Sequence, residues 1–405
     1  MGFAELWESL LPVGRHGPTG GYRRYSFTEA DSACRQWFMR TAAQRGLRVD
    51  RDRNGNLWAW WDCGTRAPGA IVTGSHLDSV PDGGAFDGPL GVVSAFAALD
   101  QLRARGLTPS RPVGVAAFCE EEGARFGVAC LGSRLLTGAL DPEAARGRTD
   151  GAGVSLAEAM SGAGLDPDAI GPDDDLLGGI ATYVELHIEQ GSALAALHAA
   201  VGIAEGIWPH GRWRLEFTGR ADHAGTTRIQ DRRDPMLPFA ATVLAARQAA
   251  AEHGALATIG KVTASPGGAN AICSAVRCWL DARAPDEAML QRVTAQVTTA
   301  AQAAAAQQQV SLGVSEESLT PPVRFDVVLR DRLAAALARR GVAAPVLPTG
   351  AGHDAGVLAA RLPTAMLFVR NPSGVSHSPG EHADPADCEA GVTALAAVLE
   401  ELAFR

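Results

Sequence analysis

Five positions along the chain carry an imidazole or a carboxylate, the kinds of side chain that bind divalent metal ions in proteins. The first is His76, which stands two residues before Asp78, directly after a short apolar run. In an extended segment residues i and i+2 face the same way, so Asp78 can hydrogen-bond one ring nitrogen of His76 while the other binds a metal. A loop histidine capped by a local aspartate is the alternative interpretation of this pair.

The next candidates are acidic. Asp87 lies in Gly-Gly-Ala-Phe-Asp-Gly, where glycines let the backbone turn tightly and bring a carboxylate close to a cation. Glu120, Glu121 and Glu122 follow an apolar run, where side chains are expected to be half buried. Three like charges in such a place require a cation, or one of them must hold a proton. Taken alone, Asp87 is more often a plain turn aspartate, and an exposed run of glutamates is usually a solvated loop.

Two further histidines follow apolar runs. His187 lies in Glu-Leu-His-Ile-Glu-Gln-Gly, and His377 lies in Ser-His-Ser-Pro. A single histidine in either place is more often a structural residue than a ligand. Together with His76, Asp87 and one of the glutamates, however, they could hold two divalent ions about 3.5–4 Å apart, a spacing used in hydrolytic sites.

The elements that must position these residues have the character of an α/β domain. Residues 70–73, 113–118 and 183–188 are apolar runs that predict buried strands, and residues 88–102 predict a helix between the first two. Strands that alternate with helices favour a mostly parallel sheet covered on both faces. Ligands of such sheets gather at the carboxyl ends of the strands, where the candidate residues stand.

The middle of the chain has a different pattern. Residues 213–217 and 275–283 alternate between polar and apolar, which predicts half-exposed strands, and residues 236–253 and 288–309 predict two alanine-rich helices. The α/β pattern then returns, with a helix over 332–339, a strand over 365–369 and a helix over 385–404. We therefore expect an α/β domain formed by residues 1–209 and 321–405, interrupted by a smaller inserted α+β domain over residues 210–320.

Composition excludes several classes of function. The 405 residues are 46% hydrophobic and 20% charged, with a formal net charge of -9, so nucleic acid and anionic membranes are poor partners. The seven cysteines form no Cys-x-x-Cys pair, which favours a reducing compartment. The first ten residues lack a basic signal-peptide region, and no apolar run is long enough to cross a bilayer. We expect a cytoplasmic protein.

The chain resembles a known family over nearly its whole length. The motifs that carry the resemblance are GSHLDSVPDGGAFDGPLGV, EEGARFG, ELHIEQG, ADHAGTT, GGANAI, LDAR, GAGHDA and SHSP. Their order and spacing are similar to those of the M20-type dinuclear metallohydrolases, in the branch of N-carbamoyl-L-amino-acid hydrolases, β-ureidopropionases and allantoate amidohydrolases.

The resemblance implies two divalent metal ions per subunit. It implies His76, Glu122, His187 and His377 as ligands, with Asp87 bridging. Zinc is the first candidate, and manganese, cobalt and nickel are alternatives because a mixed site of histidines and carboxylates accepts all of them. Glu121 matches the general base of the family and Asp78 matches the acid that orients the site.

The resemblance also implies which residues contact the substrate. His223 matches a residue that reaches into the active site of the partner subunit and stabilises the oxyanion, which implies a homodimer formed through the inserted domain. Gln190, Asn270 and Arg283 match positions that contact the carbamoyl group and the carboxylate of the substrate. A loop that lines the pocket in the family is matched by Gly350, Ala351, Gly352 and His353.

Three departures from the family pattern stand out. Arg228 follows Thr227 where the family usually has proline, so this loop is expected to be shaped differently. His382, five residues after His377, is a second candidate for the terminal ligand. Trp208 and the two residues after it add bulk at the start of the inserted domain.

Several activities fit this pattern. The first is hydrolysis of N-carbamoyl-L-amino acids to the amino acid, ammonia and carbon dioxide, because FDGPLGV and RRDPM resemble that branch most. Allantoate amidohydrolase is the alternative with the same machinery and a ureido substrate, and an aminoacylase or peptidase activity is a weaker variant. A hypothesis of another class is a metal-binding dimer that has lost catalysis and serves as a scaffold.

Overall fold

The computed structural model describes residues 2–63 and 69–404. The strands are β1 (Arg48–Arg51), β2 (Leu57–Trp61), β3 (Ala70–His76), β4 (Val113–Phe118), β5 (Ile180–Ile188), β6 (Val201–Ile207), β7 (His210–Thr218), β8 (Asp222–His223), β9 (Leu256–Ser265), β10 (Ala271–Ile272), β11 (Ala275–Arg283), β12 (Ser311–Thr320), β13 (Val323–Arg324), β14 (Val346–Thr349) and β15 (Thr364–Val369). The α-helices are α1 (Phe3–Leu10), α2 (Glu29–Gln44), α3 (Pro89–Ala104), α4 (Leu131–Thr137), α5 (Pro142–Arg146), α6 (Leu156–Gly162), α7 (Asp174–Gly178), α8 (Ala193–Ala196), α9 (Met236–His253), α10 (Glu287–Gln307), α11 (Val327–Ala338), α12 (Asp354–Leu358) and α13 (Pro385–Ala403).

The chain divides into two compact units. Residues 1–206 and 324–405 form the first unit, and residues 207–323 form the second. The boundaries expected from the sequence, 209/210 and 320/321, lie three residues from these on each side.

The first unit is organised around one large sheet with the strand order β1-β2-β4-β3-β5-β15-β6-β13 and with β14 beside β6. The four central strands, β4, β3, β5 and β15, run parallel to one another, whereas β1, β2 and β6 pair antiparallel to their neighbours. Every residue of β3, β4 and β15 is buried, as expected for strands covered on both faces. The predicted α/β class is confirmed, and the parallel part of the sheet lies at its centre.

Helix α3 lies against this centre and packs with α13 in the main hydrophobic core. A Cβ at Gly91 would overlap the carbonyl oxygen of Leu186 on β5, so the glycine allows the helix to approach the sheet closely. The helix begins two residues after Asp87, and its position therefore determines where that carboxylate lies.

The second unit holds a four-stranded antiparallel sheet in the order β12-β7-β11-β9, with its own hydrophobic core formed by the sheet, α9 and α10. A separate pair, β8 and β10, carries His223. The sequence predicted only β7 and β11 in this unit. It missed β9 and β12 because most of their residues are exposed and their apolar residues do not alternate regularly. Among the described residues of either unit, no helix combines the length and the apolar character needed to cross a bilayer.

Candidate metal centre

Four of the five candidate ligands lie where the parallel strands of the large sheet end. His76 is the last residue of β3, Glu122 follows β4, His187 lies near the end of β5, and His377 lies in the loop after β15. Because the strands are parallel and adjacent, their carboxyl ends meet at one edge of the sheet. Asp87 reaches the same edge from the loop before α3.

The first group consists of His76, His187 and one oxygen of Asp87. The Nε2 atoms of His76 and His187 lie 3.6 and 3.2 Å from Asp87 Oδ1. All three side chains are buried, and their ligand atoms lie within 4.8 Å of one another. Gly88 is required here because its φ of +83° favours glycine and because a Cβ would overlap the ring of His76.

The second group uses the other oxygen of the same aspartate. His377 Nε2 lies 3.4 Å from Asp87 Oδ2 and 3.7 Å from Glu122 Oε2. The ring of His377 is 53% exposed, so this group opens towards solvent whereas the first is enclosed. Asp87 therefore presents one oxygen to each group, as a bridging ligand would.

These residues fit divalent cations. Two ligands that each lie 2.0–2.1 Å from a tetrahedral ion are about 3.3 Å apart, and the observed separations are close to that value. The Nε2 atoms of His76 and His187 and Oε1 of Glu122 are buried and accept or donate no hydrogen bond. Leaving such atoms without a partner is costly, and a bound cation would satisfy all three.

Electrostatics agrees with this assignment. Burial, together with the neighbouring charge of Asp87, raises the pKa of Glu122 to about 7. Burial also raises the pKa of Glu121 well above its usual range, with the charges of Asp354 and Glu122 adding to the effect. Carboxylates crowded in this way need either protons or cations.

The three consecutive glutamates have three different environments. Glu120 turns away from the site, and its Oε1 accepts the backbone N–H groups of Arg125 and Phe126 at 2.8 Å. Glu122 belongs to the second group. Glu121 belongs to neither group, and its Oε2 lies 3.7 Å from His76 Nε2 while its Oε1 accepts a hydrogen bond from the Cys130 thiol at 3.3 Å. Glu121 thus lies beside the two groups without belonging to either.

Asp78 contacts both His76 and the backbone of the glutamates that follow β4, whereas the sequence indicated only the contact with His76. The Nδ1 atom of His76 lies 3.2 Å from the backbone carbonyl of Asp78 and 3.5 Å from its carboxylate. The carboxylate makes its shorter contacts elsewhere, because it accepts the backbone N–H groups of Glu121 and Glu122 at 3.2 and 3.0 Å. Asp78 therefore positions the two glutamates as well as the imidazole.

Two predicted substrate contacts lie beside the ligands. Gln190 Nε2 donates to Asp87 Oδ2 at 2.9 Å, while its Oε1 is buried without a hydrogen-bond partner. His353 is buried with its ring centroid 4.5 Å from that of His187, and its Nε2 is also without a partner. Gly352, just before it, is exposed, and a Cβ there would meet no heavy atom within 4 Å. This loop therefore has open space in front of it.

A further set of possible ligands, Glu185, His187 and His353, is less suitable for a cation. Both carboxylate oxygens of Glu185 already accept hydrogen bonds, one from Ser75 Oγ at 2.7 Å and one from the backbone N–H of Ala355 at 3.0 Å. We interpret this set as support for the imidazole of His187 and not as a separate metal site.

The remaining predicted residues belong to the second unit. His223 on β8 pairs with Ala271 on β10, and the backbone carbonyl of Asn270 accepts the N–H of Ala224 at 3.0 Å. His223 Nδ1 accepts the N–H groups of Gly225 and Thr226 at 3.0 and 3.2 Å, so a neutral ring carries its proton on Nε2.

Arg283 ends β11, and its Nε donates to Asp281 at 3.0 Å. In the loop that departs from the family pattern, Arg228 precedes a short 3-10 turn over Ile229–Asp231 and pairs with Asp231 at 2.6 Å.

The alternative terminal ligand, His382, is not part of either group. Its ring is 54% exposed, and its Nε2 lies 3.1 Å from the carboxylate of Asp384. Of the two histidines, His377 is therefore the one that lies in the second group, and its role as a ligand stays a prediction. Sequence reasoning missed Glu381, which is buried and hydrogen-bonded to the backbone of Asp87. The one signal was an acidic residue four positions after His377.

Comparison with known proteins places this chain in one family. Residues 72–401 match the family model described as Peptidase family M20/M25/M40, and the chain belongs to this family. The resemblance seen in the motifs is thereby confirmed.

Among its relatives is the N-carbamoyl-L-amino acid amidohydrolase of Geobacillus stearothermophilus, which is 38% identical over 98% of both chains. The allantoate amidohydrolase of Escherichia coli is 32% identical over 100% of this chain and 99% of its own. A crystal structure of a hydantoinase/carbamoylase family amidase from Burkholderia ambifaria matches with a TM-score of 0.85 at 32% identity, over 98% of this chain and 97% of that one.

The two groups predict different effects for two neighbouring histidines. We expect His377→Ala to lower the bound zinc by one ion per chain, because the second group loses its imidazole while the first stays intact. His382→Ala is the matched control and is expected to keep the zinc content of the parent. Elemental analysis after dialysis against zinc-free buffer measures both, and equal loss in the two variants would contradict the assignment.

Proposed function

We propose that this chain hydrolyses the carbamoyl carbon–nitrogen bond of N-carbamoyl-L-amino acids, giving the amino acid, ammonia and carbon dioxide. The observation that carries the proposal is the division of ligands into two groups that share Asp87, with Glu121 left over beside them. The relatives that are N-carbamoyl-L-amino acid amidohydrolases support the choice of substrate.

The site as proposed holds two divalent ions per subunit, zinc in the first place and manganese, cobalt or nickel as alternatives. When bound, such ions lower the pKa of a shared water and polarise the carbonyl oxygen of the substrate. The ligands are His76, His187 and Asp87 in the first group and Asp87, Glu122 and His377 in the second.

Glu121 is proposed as the general base and then the general acid. It accepts a proton from the attacking water, and it donates that proton to the amino-acid nitrogen as the bond from the carbamoyl carbon to this nitrogen breaks. Its carboxylate is buried, and Asp78 holds the backbone on which it stands, so the proton acceptor keeps its place through the cycle. The released carbamic acid decomposes to ammonia and carbon dioxide.

The substrate contacts are proposed as follows. Arg283 binds the carboxylate, because a guanidinium offers two parallel donors to it. His223 donates Nε2–H to the oxyanion of the tetrahedral intermediate, since its Nδ1 is already an acceptor. Gln190 presents Oε1 to an N–H group of the carbamoyl moiety, and Asn270 adds a further polar contact.

Allantoate amidohydrolase remains the second candidate, because the Escherichia coli relative with that name aligns with the whole chain. Its substrate also carries ureido groups and a carboxylate, so the same residues would serve. The higher identity to the Geobacillus stearothermophilus relative, 38% against 32%, favours the N-carbamoyl substrate.

A substrate panel separates these functions. Metal-stripped enzyme is supplied with each ion in turn. Ammonia release is measured from N-carbamoyl-L-amino acids, their D-enantiomers and allantoate, and release of the free amino acid is measured from N-acetyl-L-amino acids. We expect the N-carbamoyl-L series to give the highest kcat/KM. Faster turnover of allantoate would favour the second candidate, and a protein that binds metal but turns over no compound in the panel would support a non-catalytic scaffold.

The role of Glu121 is tested with Glu121→Gln. The amide cannot accept the proton of the attacking water, so we expect kcat to fall by at least about 100-fold. Because Glu121 belongs to neither ligand group, the variant should bind as much zinc as the parent. Turnover at the parental rate would show that another group is the base, and a loss of zinc would show that Glu121 is a ligand.

A homodimer through the second unit is also proposed. Helix α9 exposes Leu237 and Leu244 at 52% and 73%, and the edge strand β9 exposes Leu256 and Val262 at 56% and 48%. Such apolar surface fits an interface with a second copy of the chain. Light scattering should give twice the chain mass for the parent and the chain mass for Leu244→Glu, and a dimeric variant would exclude this face of α9.

A further inference from the structure

Glu381 is a buried carboxylate for which the proposed reaction has no use. Only 5% of the residue is exposed, and it lies four positions after His377. Its Oε2 accepts the backbone N–H of Asp87 at 3.0 Å, across 294 residues of sequence, and its Oε1 accepts the hydroxyl of Ser376 at 3.0 Å.

These contacts close into a ring of hydrogen bonds. Ser376 Oγ donates to Glu381 and accepts Nε2–H of Gln190 at 3.3 Å. Gln190 Nε2 also donates to Asp87 Oδ2 at 2.9 Å. The ring therefore meets Asp87 twice, once at its backbone and once at its carboxylate, and it contains the residue that precedes His377.

The hydrogen bonds of the ring suit a carboxylate at position 381. The two groups that face this side chain, the N–H of Asp87 and the O–H of Ser376, are both donors, and a carboxylate offers two acceptor oxygens where glutamine offers one. The loop before Asp87 is shaped to the same side chain, because a Cβ at Gly84 would overlap Glu381.

The direction in which the hydrogen bonds of the ring are donated also determines how the side-chain amide of Gln190 is oriented. Ser376 gives its only proton to Glu381 and is left as an acceptor, and Asp87 Oδ2 is an acceptor too, so the NH₂ end of Gln190 must face both. The Oε1 end then points the other way, where it is buried and has no partner in the protein.

We propose that Glu381 is a positioning residue that holds Asp87 between the two ligand groups and orients Gln190 so that its carbonyl faces the substrate. This role rests on the proposed two-metal function. Glu381 touches neither substrate nor ion, and it acts through Asp87, Ser376 and Gln190.

The test measures metal affinity and metal-free stability separately, in the full-length chain. We expect Glu381→Gln to bind zinc at least about tenfold more weakly in competition with a chelating dye, as is typical when a residue behind a ligand is changed. The thermal midpoint of the metal-free variant should not fall, because the change removes one of several crowded buried carboxylates. With cobalt in place of zinc, the visible absorption spectrum should change, because the Asp87 carboxylate is displaced.

Glu401→Gln is the matched control. Glu401 is also a buried glutamate of the first unit, 8% exposed, but it pairs with Arg332 and Arg339. We expect this control to lower the metal-free midpoint while keeping the parental zinc affinity and cobalt spectrum. Ser376→Ala provides a second, smaller break in the ring and should weaken zinc binding in the same direction. If Glu381→Gln does not fold, the zinc affinity of Ser376→Ala tests the proposal alone.

Two results would overturn the proposal: zinc binding by both variants as tight as that of the parent, or a loss of affinity that comes with a metal-free midpoint as low as that of Glu401→Gln. The second result would make Glu381 a merely structural residue. If the parent itself binds no zinc, cobalt or manganese, the proposed function fails, whereas equal binding by parent and variants removes only the role of Glu381.

Discussion

The candidate site depends on a single carboxylate, that of Asp87, which belongs to both ligand groups. Asp87 directs Oδ1 to the imidazoles of His76 and His187, and Oδ2 to the second group. It can do so because Gly88 has a φ of +83°, which other residues adopt only with strain, and because α3 packs against the sheet immediately after it. The parallel strands then need only deliver their terminal side chains to one edge of the sheet.

Burying so many acids together is unfavourable unless positive charge balances them. The fold limits this cost by giving each carboxylate its own partners: Glu120 is bonded to backbone N–H groups, Asp78 to the backbone of its neighbours, and Glu185 to Ser75 and Ala355. Buried carboxylate oxygens without a hydrogen-bond partner remain on Glu120, Glu122 and Asp354. Of these three residues, Glu122 is the one that belongs to a candidate ligand group, so a cation bound there would satisfy its free oxygen.

The α/β class and the central strands could be predicted from the sequence because buried strands are continuous apolar runs. Most of the clustered residues could be predicted as well, because they lie at or just after the ends of these runs. The sequence did not allow the ligands to be divided into two groups, since that division depends on which oxygen of Asp87 faces which strand. The strands β9 and β12 were missed because exposed strands lack an apolar period. Glu381 was missed because its partner lies 294 residues away.

That long separation has a consequence for the order in which the site forms during synthesis. His76, Asp87, Glu122 and His187 all leave the ribosome before the inserted unit, whereas Ser376, His377 and Glu381 belong to one of the last segments to appear. A growing chain therefore carries all three side chains of the first group before the inserted unit is made, whereas the second group lacks its imidazole until His377 has been added.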